Sequence, residues 1–143
     1  MFIKKISELF VRPQPISGAG KKVLTVEDDV TQRTMIQKTL EKCGYEVLSA
    51  EDGVQGLEVA QNQKPDLILL DVIMPKMRGD EVCRRLKASD ATRNIPVIFL
   101  TSLDTPKDII SHYELGGDIH LTKPINPKEL IKQIEITLEE HSS

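Results

Sequence analysis

Tryptophan is absent, and only three phenylalanines and two tyrosines occur in 143 residues. Stacking platforms for single-stranded nucleic acid therefore have little to be built from. No apolar run approaches the ~20 residues that a membrane-spanning helix requires, which argues against an integral membrane protein. Cysteine is also scarce. Cys43 and Cys83 fall within helical patterns beside apolar neighbours, with no Cys-X-X-Cys spacing and no secretion signal. They read as reduced packing thiols of a cytoplasmic protein rather than as a redox or zinc pair. The net charge is only −3, but it is uneven. Residues 1–22 carry Lys4, Lys5, Arg12, Lys21 and Lys22 against Glu8, a balance of +4 that leaves −7 on the remainder. An acidic body argues against direct nucleic-acid binding by the main domain.

What the chain does hold is a series of short aliphatic runs, which suit one compact domain plus an appendage. β-Branched and aliphatic enrichment predicts strands at 22–26, 45–50, 66–70, 96–100 and 118–122. Helical patterns fall at about 31–43, 53–63, 78–88, 106–115 and 127–140. Thr105-Pro106 and Asn126-Pro127 each set a capping side chain before a proline at the first helical position. Gly44 and Gly116-Gly117 stand where left-handed helix C-termini are expected. Lys64-Pro65 stops the second helix, because proline disfavours helical geometry in the residue before it. The runs 66–70 and 96–100 are apolar without clear alternation, as in strands covered by helices on both faces. Five βα units in this order imply an α/β fold, a doubly wound five-stranded parallel sheet with helices on both faces.

Residues 1–11 form a separate unit. On a helical wheel Phe2, Ile3, Ile6, Leu9 and Phe10 occupy one arc of about 120°, with Lys4, Lys5, Ser7 and Glu8 outside it. This predicts a short N-terminal amphipathic leader helix, followed by a Pro/Gly-rich linker at 12–21 and the main domain at 22–143. The leader lacks the apolar core of a signal peptide. It is too short for autonomous helicity and is expected to order on contact with a partner, an anionic membrane surface or its own domain.

The chemistry gathers at strand ends. Asp71 closes the run Leu67-Ile68-Leu69-Leu70, and Glu27-Asp28-Asp29 follow Val23-Leu24-Thr25-Val26. Thr101 ends a third strand and Lys123 a fourth. In a parallel sheet these ends line the ligand crevice. Two carboxylates at ~4 Å repel by about 1 to 4 kcal/mol, so Glu27, Asp28 and Asp71 together call for a cation. Oxygen donors without His or Cys suit a hard ion that keeps some of its waters, namely Mg²⁺. Asp71 is then a candidate nucleophile toward phosphorus, with Lys123 as a point charge and Thr101 as a hydroxyl donor. His112 and His141 have no ligand partners at useful spacing and read as surface residues. Met74 and Met77 read as packing.

Val26-Glu27-Asp28-Asp29, the stretch Leu70-Asp71-Val72-Ile73-Met74-Pro75-Lys76-Met77-Arg78-Gly79, Phe99-Leu100-Thr101-Ser102 and Leu121-Thr122-Lys123-Pro124 resemble the receiver domain of two-component response regulators. The resemblance covers residues 22 to about 140. It implies a flavodoxin-like strand order 2-1-3-4-5 and a phosphoryl group accepted by Asp71 from a histidine kinase or histidine phosphotransfer protein. It implies Mg²⁺ held by Glu27, Asp28, Asp71 and the backbone carbonyl of Ile73, and a switch pair of Thr101 and Lys123 that contacts the phosphoryl group. Ser102 takes the adjacent small-residue position, and the Lys123-Pro124 bond is expected to be cis. Position 120, an aromatic ring in the family that turns inward as the Thr moves, is His here. His120 is read either as that switch ring or as a solvated edge-strand residue. Aliphatic Ile73 and Leu103 flank the site and are expected to hinder a hydrolytic water.

These readings favour a stand-alone phosphorylation switch, not an enzyme, whose 105–140 face meets a downstream protein target. No output domain is expected within this length. A phosphohydrolase of the haloacid dehalogenase type needs a second Asp two residues after the nucleophile, where this chain has Ile73. A non-phosphorylated receiver-like scaffold is the alternative.

Overall fold

The computed structural model describes residues 18, 20–102 and 106–142. The leader at 1–11, most of the linker, Leu103 and the Thr105 cap lie outside the described residues. Five strands form one sheet: β1 (Lys22–Val26), β2 (Glu46–Ala50), β3 (Leu67–Asp71), β4 (Val97–Thr101) and β5 (Ile119–Thr122). All pairings are parallel and the spatial order is β2-β1-β3-β4-β5, the flavodoxin-like order. The helices are α1 (Val30–Lys42), α2 (Gly53–Gln63), α3 (Gly79–Ala88), α4 (Pro106–Glu114) and α5 (Pro127–His141).

Alternate strand residues feed two cores, one on each face of the sheet. Leu24, Val26, Ile68, Leu70 and Phe99 pack with Ala60 of α2 and with Val82, Cys83 and Leu86 of α3. Val23, Leu67, Leu69, Ile98 and Leu100 pack with Ile36 and Leu40 of α1 and with Leu130 and Ile134 of α5. Every residue of β3 and β4 is buried, which explains their unbroken apolar runs.

Local chemistry sets the helix ends. Asp29, Asp52 and Asn126 accept hydrogen bonds from the backbone N–H three residues on, at 2.9, 2.8 and 3.1 Å. Gly44 and Gly116 adopt φ of 88° and 97°, as a left-handed C-terminus demands. Lys64 ends α2 in the same region, at φ 46°.

β1 matches the predicted run, whereas β2, β3, β4 and β5 each begin one residue later than predicted, and β3 and β4 also end one residue later. Tyr45 is lost from β2 because its N–H donates to Leu40 O, closing α1. Asp71 and Thr101 are gained because each is registered against its neighbour, Asp71 with Leu100 and Thr101 with Thr122. Both candidate site residues thus sit on the last rung of the ladder rather than in a loop beyond it. Among the described residues, no helix is long and apolar enough to cross a membrane.

Candidate functional site

Glu27 directly follows β1, and its N–H donates to Ala50 O, so the backbone there is still held to β2. Arg33, on the first turn of α1, donates from Nη1 to Glu27 O at 2.7 Å. The Asp29 N–H donates to Glu27 Oε2 at 3.1 Å. These contacts aim the Glu27 carboxylate into the crevice, where it is 1% exposed. Asp71 is 5% exposed, and Asp28 lies on the solvent side. One oxygen from each of the three carboxylates falls within a single 4.8 Å span.

Lys123 reaches across the sheet from the end of β5. Its backbone N–H donates to Thr101 O at 2.8 Å, which fixes its position. Its Nζ lies 2.8 Å from Glu27 Oε1 and 3.3 Å from Asp71 Oδ2. Burial raises the Glu27 carboxyl above its usual range; the Lys123 hydrogen bond opposes this and the Asp71 charge adds to it. Burial alone would lower the Lys123 ammonium, but the Glu27 hydrogen bond and the Asp71 charge more than reverse it and hold it above its usual range. Thr101 is fully buried and Ser102 exposed beside it. The Lys123-Pro124 peptide is cis.

The loop after β3 folds back tightly. The Gly79 N–H donates to Val72 O at 2.8 Å. A Cβ on Gly79 would lie 2.0 Å from Asp71 O, so only glycine allows α3 to start against the Asp71 backbone. Met74 is buried, whereas Ile73 is 50% exposed at the mouth of the site.

Of the residues singled out from the sequence, the fold brings Glu27, Asp28 and Asp71 together, sets Lys123 between two of them, buries Thr101 on the next strand and leaves Ile73 at the rim, while Leu103 lies outside the described residues. His120 is half-buried on β5, with Nε2 fully buried. His112 corrects the reading of a surface residue. It is 3% exposed and its ring stacks between Phe99 and His120, at centroid distances of 4.3 and 4.9 Å. His141 is exposed, as expected of a surface residue, and its Nε2 lies 3.1 Å from Asp118 Oδ1. Arg33 was missed, although a cation four residues after the capping Asp29 was a readable signal.

The donor set fits a hard divalent ion. It is all oxygen, two members are buried, and exposed Asp28 leaves a side where an ion would keep its waters. Fold and site together define a signalling receiver module. The family model of the response regulator receiver domain matches residues 23–135, and the chain belongs to that family, part of two-component signalling. It is 40% identical over 119 residues to the alkaline phosphatase synthesis transcriptional regulatory protein PhoP of Bacillus subtilis, covering 83% of this chain and 49% of that protein. It is 37% identical over 117 residues to the DNA-binding dual master transcriptional regulator RpaA of Synechocystis, covering 82% and 48%. The chain therefore spans about half the length of the curated relatives it matches.

Among solved structures, the chemotaxis protein CheY4 of Vibrio cholerae superposes with a TM-score of 0.79 at 35% identity, over 82% of this chain and 98% of that one. A Pseudomonas aeruginosa sensor histidine kinase receiver, with a magnesium ion coordinated in its active-site cleft, gives 0.78 at 30% identity, over 85% and 99%.

Proposed function

We propose that this chain accepts a phosphoryl group on Asp71 from a phosphohistidine donor and uses it to change a protein-binding face. The observation that carries this is Lys123 Nζ, held between Glu27 and Asp71 beside the acidic cluster. A carboxylate oxygen of Asp71 forms the new bond to phosphorus. The bond from phosphorus to the donor imidazole nitrogen breaks, and that nitrogen keeps the electron pair. Lys123 and the Thr101 hydroxyl would meet the charge that develops on the phosphoryl oxygens. Glu27, Asp28, Asp71 and the Ile73 carbonyl would hold Mg²⁺, which would supply neutralising positive charge to the site when bound.

The donor is a histidine kinase or histidine phosphotransfer protein, and the reader is a protein that meets α4, β5 and α5. The relatives are transcriptional regulators about twice as long, so this receiver acts either alone or as the input half of a longer regulator. Residues 22–143 form the receiver, and 1–11 supply a contact with a partner or membrane surface. Its place of action is the cytoplasm. Incubation with acetyl phosphate and Mg²⁺ tests the reading by intact mass. An adduct formed by the native chain and lost in Asp71→Ala supports it. No adduct on the native chain refutes it.

A further inference from the structure

The stack Phe99–His112–His120 lies outside the acidic crevice and joins three elements: β4, α4 and β5. Phe99 cannot recede, because Gly117 abuts its ring so closely that a Cβ there would lie 2.6 Å from it. The Gly117 N–H in turn donates to His112 O, tying the end of α4 to the start of β5. His112 Nδ1 and His120 Nε2 are both buried and have no hydrogen-bond partner among the described residues. A neutral imidazole tolerates this by carrying its one proton on the other nitrogen. A protonated ring does not: it brings a charge and an N–H without an acceptor into an enclosed space.

The two rings are within 19° of parallel, so their in-plane lone pairs run side by side rather than toward a common metal ion. Proton uptake is therefore the chemistry the pair is built to feel. We propose that the His112–His120 stack is a proton-operated latch, closed while His112 is neutral and released when His112 takes up a proton, freeing α4 from β4 and β5.

Burial, and next the neighbouring His120, hold His112 below the usual histidine range. Asp80 on α3 and Asp108 on α4 act against this, and Arg78 ahead of α3 acts with it. Asp80 is already engaged by Arg78 at 3.1 Å. The sign follows: the open form binds the proton that the latched form refuses, so the latch weakens as pH falls through the usual histidine range.

The test is hydrogen exchange of the α4 amides in the unphosphorylated 143-residue chain, with no phosphodonor present, so its failure is distinct from failure of the Asp71 reading. After correction for intrinsic exchange, opening linked to one proton predicts that protection of α4 falls about tenfold per pH unit below ~6.5, while β1 and β3 stay unchanged. His112→Phe keeps a stacking ring without a titrating nitrogen and is expected to remove the dependence; His120→Phe is expected to reduce it. Protection of α4 that does not vary with pH overturns the proposal, as does an undiminished dependence in His112→Phe. A response abolished by EDTA also overturns it, because a bound metal would then be the ligand.

Discussion

Lys123→Met removes the ammonium between two buried carboxylates and leaves a side chain of similar reach. With unit charges at 2.8 and 3.3 Å and an effective dielectric of about 20, each attraction is about 5 to 6 kcal/mol before desolvation is counted. Removing one partner of a buried pair costs about 3 to 5 kcal/mol net, and the small residual exposure of Lys123 places this case near the lower end, about 3. With a urea slope of about 2 kcal/mol/M, the unfolding midpoint at about pH 7.5 without Mg²⁺ drops by roughly 1.5 M. The pH dependence has a definite sign. Glu27, already above its usual range, loses the hydrogen bond that lowers it, so the folded variant binds a proton that the unfolded chain does not. The deficit therefore shrinks as pH falls toward about 5.5. Millimolar Mg²⁺, binding the folded acidic cluster, raises the midpoint further. A variant midpoint within about 0.3 M of the native one at about pH 7.5 would refute the reasoning, since m and Cm would then report no lost buried pair.

Three further outcomes follow from the same geometry. Gly79→Ala forces a methyl against the Asp71 carbonyl and is expected to cost about 3 kcal/mol in urea unfolding and to slow phosphoryl uptake; a loss below about 0.5 kcal/mol contradicts the close approach. Ile73→Asn opens the rim of the site and should speed loss of the phosphoryl group from Asp71 several-fold; an unchanged dephosphorylation rate removes Ile73 as a water shield. Burial pushes the Cys83 thiol up to about 11, so at about pH 8 a thiol reagent should label half-buried Cys43 and leave Cys83 until the chain unfolds. Equal labelling of both in the folded protein would contradict the packing of α3.

The sheet was legible because helices cover both of its faces, which turns β3 and β4 into plain aliphatic runs whose polar ends stand out. Asp71 and Thr101 stood out by that contrast, whereas Lys123 follows the less covered β5 and its role rested on the family resemblance. Strand limits were less legible, since Asp71 and Thr101 are held in the ladder by neighbours distant in sequence. The link from Lys123 to Glu27 was also hidden, because β1 and β5 are not adjacent in the sheet. His112 was misread for the same kind of reason. Taken singly, a histidine on a short helix is a surface residue, and its burial follows only from the register that sets Phe99 beside His120.

The bond from Lys123 to Glu27 spans 96 positions of chain. During synthesis the first carboxylate emerges long before the lysine that will neutralise it, and Asp71 waits through half the domain for the same partner. A chain truncated before β5 would keep its aspartate but lack the charge that readies it. On the proposed function, competence to accept a phosphoryl group is thus tied to completion of the edge strand, and a partly made receiver would stay silent toward its donor.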